Sequence, residues 1–268
     1  MEITVVLGYI GALTIGIVLG LIGGGGSILT VPVLVYLFMI DPVLATAYSL
    51  FIVGLTSAVG SFKYFQLGLV NWRTAIIFGI PSIIAVFMTR AYIVPALPAQ
   101  VSITDTFALT KGDMMLLLFS VVMIAASFSM IRGNGKENHA ETGEQKFNYP
   151  LILLEGAVVG VLTGLVGAGG GFLIIPALVV LSKLPMKQAV GTSLVIIAAK
   201  SLIGFLGERS ESPIDWTLLG IVSAFAIVGI FVGASLSRRI DGNKLKPAFG
   251  WFVLIMGLGI IARETFLQ

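Results

Sequence analysis

Two glycine clusters are the residues best placed to do chemistry: Gly20-Leu-Ile-Gly-Gly-Gly-Gly26 and Gly164-Leu-Val-Gly-Ala-Gly-Gly-Gly171. Each is followed by a short apolar run, so each opens a helix whose first N–H groups have no partner inside the helix. Those amides, at the positive end of the helix dipole, make a site for an anion. The candidate ligands are Gly23, Gly24, Gly25, Gly26 and Ser27, then Gly167, Ala168, Gly169, Gly170 and Gly171. Close helix packing is the competing reading. Gly8, Ala12, Gly16 and Gly20 recur every four residues, as do Gly156, Gly160 and Gly164, which gives a small-residue face. That reading suits the spaced glycines better than the consecutive ones, because packing alone does not require adjacent glycines. A dinucleotide fingerprint is excluded, since no strand precedes either cluster and no third glycine is correctly spaced.

Lys200 interrupts the apolar run 188–206. An ammonium at membrane depth costs roughly 2.5–3.5 kcal/mol, so such residues face a cavity or a partner. It reads as a counter-charge for an anionic substrate, with snorkelling toward the surface as the alternative. Thr192, Ser193 and Ser201 are near it in sequence, and Ser193 and Ser201 are about two helical turns apart. Tyr48, Ser49, Thr56 and Ser57 hold the equivalent places in the first half. Glu155 is the one carboxylate within an apolar run. It is either a proton-coupling site or an interfacial residue five positions past Pro150. Asp41 and Asp215 precede helices and read as caps.

These residues must be held by membrane-spanning elements. Of 268 residues, 57% are apolar and 11% charged, against about 25% charged in a soluble domain. Mean hydropathy is +1.06. The expected partners are therefore a lipid bilayer and a small anion. The net charge of +3 comes from cations in the gaps between apolar runs, which signals topology rather than nucleic acid. No cofactor or metal is expected, because cysteine is absent and the single histidine, His139, falls in a polar stretch. An enzyme is disfavoured, since the spans hold no histidine, cysteine or clustered carboxylates.

Apolar runs occupy 3–22, 28–40, 43–62, 74–89 and 114–131, then 150–166, 172–181, 188–206, 216–236 and 247–262. The first has Glu2, no Lys or Arg ahead of it and no small-residue cleavage pattern, so it reads as a retained span. Runs 28–40 and 172–181 are shorter than the ~20 residues a span needs and read as half-helices. A shift of 144 residues lays 16–72 over 160–216 without a gap and matches Gly23, Pro32, Ser49, Ser57 and Trp72 with Gly167, Pro176, Ser193, Ser201 and Trp216. The last segments align at a shift of 131, which leaves 13 extra residues in the first half, within 95–112. The expectation is an all-α integral membrane protein of two repeats, 1–132 and 149–268, joined by a polar linker at 133–148. Five segments per half give the repeats opposite orientations. If each glycine-broken pair returns to its starting face, Arg90, Lys111, Arg209 and Arg263 fall on one face and eleven cations on the other. The linker is then cytoplasmic and both termini outside. Broken helices at matching places in inverted repeats are the usual pointer to a transporter's central site.

The segments 20–32 and 164–176, Ala-Val-Gly-Thr-Ser193, Asp215-Trp216 and the small-residue helix ending at Arg238 resemble the TauE/SafE family of sulfite exporters, also called the 4-toluene sulfonate uptake permease family. The resemblance covers nearly the whole chain. It implies transport of sulfite, sulfonates or related sulfur oxyanions across a prokaryotic cytoplasmic membrane. Lys200 departs from the family's pattern, where a small polar residue is expected. A secondary carrier working by alternating access is the first expectation. An anion channel using the same glycine site is the second, and it differs in showing no counterflow.

Overall fold

The structure is a computed structural model and describes residues 2–104, 107–132, 149–180, 184–208, 213–236 and 242–266. The linker at 133–148 with His139, and Lys183, Arg209, Arg238 and Arg239, lie outside the described residues. The chain is helical nearly throughout. Helix α1 (Glu2–Ile22) runs into a 3-10 turn (Gly25–Leu29) and the short α2 (Thr30–Tyr36). Then come α3 (Pro42–Gln66), α4 (Trp72–Met88), a π-turn (Thr89–Ile93) and the single turn α5 (Val94–Ala96). Strands β1 (Gln100–Thr104) and β2 (Phe107–Thr110) pair antiparallel before α6 (Lys111–Arg132). The second half holds α7 (Tyr149–Val166), α8 (Gly171–Val180), α9 (Met186–Leu206), α10 (Trp216–Leu236) and α11 (Gly242–Phe266). Six of the described helices are long and apolar enough to cross a membrane, and the protein is a multi-pass membrane protein. The extra residues at 95–112 hold α5 and the hairpin, small elements that the apolar pattern does not announce.

Capping residues begin the long helices. Asp41 Oδ1 accepts from the N–H groups of Val43 and Leu44 at 2.9 and 3.2 Å, with Pro42 in the first helical position. Asn71 accepts from Thr74 N–H at 3.0 Å, and Asp215, 144 positions on, accepts from Leu218 N–H at 2.9 Å. The two equivalent helices α4 and α10 thus start in the same way. Asp41→Ala is expected to cost about 1 kcal/mol, read as a lower Tm of the purified protein.

The spaced glycines pack helices together. Gly16 and Gly20 of α1 lie against the backbone at Ala226, Ile230 and Gly233 of α10. Gly160 and Gly164 of α7 lie in the same way against Ser82, Ala85 and Thr89 at the end of α4. Each half therefore wedges its first helix against a helix of the other half, and residues 144 apart make matching contacts. Gly220, on the exposed face of α10, has nothing within 4 Å of a Cβ built on it. Gly220→Ala is expected to leave the fold intact and to add up to about 1 kcal/mol of helix stability, measured by thermal unfolding.

The equivalent helices α3 and α9 pack on each other in opposite directions. Leu50 lies against Gly204, Gly54 against Leu202 and Tyr64 against Gly191. The register brings position 56 of α3 level with 199–200 of α9, so Thr56 and Lys200 stand at about the same height along the contact.

Candidate functional site

The two glycine clusters meet. A Cβ on Gly24 would overlap the backbone of Gly171, and a Cβ on Gly171 would overlap the backbone of Gly24. Only the missing side chains let the segments touch. Around that contact the surroundings are reciprocal: Gly23 lies against Val190 and Gly167 against Thr46, positions again 144 apart. Gly23 and Gly167 have φ of 84° and 74°, a left-handed conformation that turns the chain sharply out of α1 and α7. These turns give α2 and α8 their starting points.

The segments arrive with open donors. Among the described residues, no acceptor is bonded to the backbone N–H of Gly24, Ala168 or Gly169. Gly23, Gly24, Gly25, Gly26 and Ser27 are buried, as are Gly167, Ala168, Gly169, Gly170 and Gly171. Both clusters are buried and touch at Gly24 and Gly171, so the crossing is closed at that contact. A cavity of about 360 Å³ opens elsewhere, between α1, α2 and α11, and is lined by apolar residues such as Val33, Phe252 and Met256.

Lys200 is 0% exposed, so it does not snorkel to the surface. Its Nζ donates to Thr163 Oγ1 at 3.1 Å, its one hydrogen-bond partner among the described residues, and lies beside Gly170. An ammonium has three donors, so two remain free toward the glycine segment. Thr163 is a site residue that inspection of the sequence missed. The signal was present in the repeat: the 144-residue shift sets Leu19 opposite Thr163 and Thr56 opposite Lys200. Both departures are polar and both occur in the second half.

The hydroxyls divide into two groups. Ser49, Ser57 and Ser201 are fully buried, and their Oγ atoms have no partner among the described residues. Ser57 and Ser201 are repeat equivalents that follow Thr56 and Lys200 directly, so open hydroxyls flank the crossing from both halves. The other candidates have local partners. Ser193 donates to Val190 O at 2.8 Å and Ser27 to Gly24 O at 2.8 Å. Thr192 Oγ1 accepts from Asn71 N–H at 2.9 Å, which ties α9 to the start of α4 rather than to Lys200. Glu155 is half-buried on α7, about 12 Å of helix rise before Thr163, and is not part of this cluster.

Arg90 differs from its reading as a loop cation. It is 0% exposed in the π-turn after α4, and its Nη1 donates to Glu208 Oε2 at 2.9 Å, with Glu208 8% exposed. Its Nε and Nη2 have no partner among the described residues. A buried donor left open costs about 1–3 kcal/mol, so this arrangement is an expensive one.

The sequence profile described as "Sulfite exporter TauE/SafE" matches residues 8–260. The chain belongs to the TauE/SafE family. It is similar to a "Probable membrane transporter protein" of Xylella fastidiosa (strain 9a5c), 30% identical over 254 residues, which cover 93% of this chain and 92% of that one. A probable membrane transporter protein of Methanocaldococcus jannaschii is 28% identical over 272 residues, covering 96% and 94%. The Bacillus subtilis "Probable membrane transporter protein YunE" is 26% identical over 278 residues, covering 98% of both chains. No solved structure matches. Family and relatives are described as membrane transporters, so the TauE/SafE chain is a membrane transporter.

Proposed function

We propose that the chain is a secondary carrier for a small sulfur oxyanion, sulfite or an organosulfonate, held where the two glycine segments cross. One observation carries the reading: Lys200, fully buried with a hydroxyl as its partner, lies beside Gly170 of the second glycine segment. A buried charge in that setting is costly unless an opposite charge joins it. An oxyanion supplies the charge. It would take the free Nζ donors, the amides of Gly24, Ala168 and Gly169, and the hydroxyls of Ser49, Ser57 and Ser201. The family's printed description and the relatives' transporter names support this substrate class.

The closed crossing is then the occluded form of the cycle. Alternating access follows if the repeats 1–132 and 149–268 rock about the α3–α9 contact and open the same anion site first to one face and then to the other. The antiparallel packing of α3 and α9 supports that division. We place the protein in the prokaryotic cytoplasmic membrane, with the linker inside and both termini outside.

Counterflow tests the carrier reading. Liposomes holding the purified protein and loaded with unlabelled sulfite should take up external labelled sulfite several-fold faster than unloaded ones. Uptake that ignores internal sulfite would mean a channel. No sulfite or sulfonate flux at all would remove the substrate class.

A further inference from the structure

Arg90 and Glu208 are not used by the site at the crossing, yet they sit close to it. Glu208 lies two residues beyond the end of α9 and eight after Lys200. Thr89, next to Arg90, packs its side chain against Gly164, the neighbour of Thr163 that holds Lys200. The Thr89 hydroxyl is fully buried and has no partner among the described residues. The turn that carries Arg90 thus packs on α7 at the residue next to Thr163.

The open donors of Arg90 have a specific shape. Nη1 is taken by Glu208, and the two atoms left over are Nε and Nη2. Their N–H bonds point the same way along one edge of the planar guanidinium. That edge is the one that grips two oxygens of a carboxylate, sulfonate or sulfite side by side. A side-on ion pair with Glu208 would occupy this edge. Here the carboxylate holds the remaining corner, neutralises the charge and leaves the two-donor edge free.

We propose that Arg90 is a second oxyanion-binding site, in which Nε and Nη2 bind the anion edge-on while Glu208 holds Nη1 and limits how tightly the anion is kept. The Thr89 hydroxyl supplies a further donor. The site extends the carrier reading by giving the anion a station between Lys200 and the end of the bundle where α9 stops. A carboxylate that competes with the substrate keeps such a station weak enough to release it.

The sign of one substitution separates this role from a structural one. In Glu208→Gln the guanidinium loses its counter-charge, so an external oxyanion should take its place. With full-length protein in detergent, Glu208→Gln is expected to melt several degrees lower than wild type in chloride. At equal ionic strength, millimolar methanesulfonate or sulfite should restore that loss, with an apparent affinity about tenfold tighter than the wild type's. Adding Arg90→Lys, which keeps the charge but removes the edge, should abolish the recovery. Adding Lys200→Met should leave it in place, which separates this site from the one at the crossing. Recovery absent from Glu208→Gln, retained with Arg90→Lys or lost with Lys200→Met would each overturn the proposal. If Glu208→Gln does not fold, Glu208→Ala, which removes the same counter-charge, is read by the same criteria. Absence of counterflow would remove the carrier reading but not an anion-linked recovery that needs Arg90.

Discussion

Lys200→Met is expected to lose oxyanion binding by about 10- to 150-fold, the loss of a charge-assisted contact worth roughly 1.5–3 kcal/mol. It should do so without destabilising the protein. Lys200 is fully buried and its partner is the neutral Thr163 hydroxyl. Removing an uncompensated buried charge and replacing it with an apolar chain of similar length relieves desolvation. The expected pattern is therefore a Tm equal to or above the wild type's, with sulfite affinity and uptake lost together. Calorimetric titration with sulfite and thermal unfolding of the same sample measure both. A lysine that served only to hold α7 against α9 through Thr163 would give the opposite result, a lower Tm with affinity unchanged. That outcome would end the counter-charge role.

The second large effect falls on the glycine contact. Gly24→Ala and Gly171→Ala each put a methyl group where the other segment's backbone runs, and a backbone cannot swing aside as a side chain can. Overpacking of this kind costs roughly 1–3 kcal/mol, so a Tm several degrees lower is expected for either variant. Uptake should fall to background in both, because the closed crossing can no longer form and the amides of the two segments no longer converge. Combining the two substitutions should cost less than the sum of the separate effects, since both disrupt the same contact. Gly220→Ala is the control, as a methyl group there meets open space. Full uptake and unchanged Tm in both single variants would show that the segments do not rely on touching.

These expectations rest on features of differing visibility. Composition alone places the chain in a membrane, because lipid removes the need for a polar coat over so many apolar residues. The half-helices at α2 and α8 were legible from run length, since 28–40 and 172–181 are too short to span and each follows a glycine cluster. Asp41 and Asp215 were legible as caps from their place just ahead of apolar runs, and both accept amides of the following turn. Such features depend on neighbours within a few residues, so residue type and spacing determine them.

Pairings between distant residues depend on something else. Gly24 and Gly171 carry no side chain that could identify a partner, and their contact follows from how α1 and α7 wedge against α10 and α4. Arg90 and Glu208 stand at the margins of apolar runs, where a charge is ordinarily solvated; packing alone turns them into a buried pair with one open edge. Lys200 was visible as an anomaly, but its place at the α3–α9 crossing required the register of two helices whose sequences specify only apolar faces. The sequence by itself determined that this is a membrane protein of repeated, glycine-broken segments with a lysine at membrane depth. The tertiary structure alone decided which glycines touch, where the lysine stands and which donors stay open, because helices separated by more than a hundred residues find their register through shape.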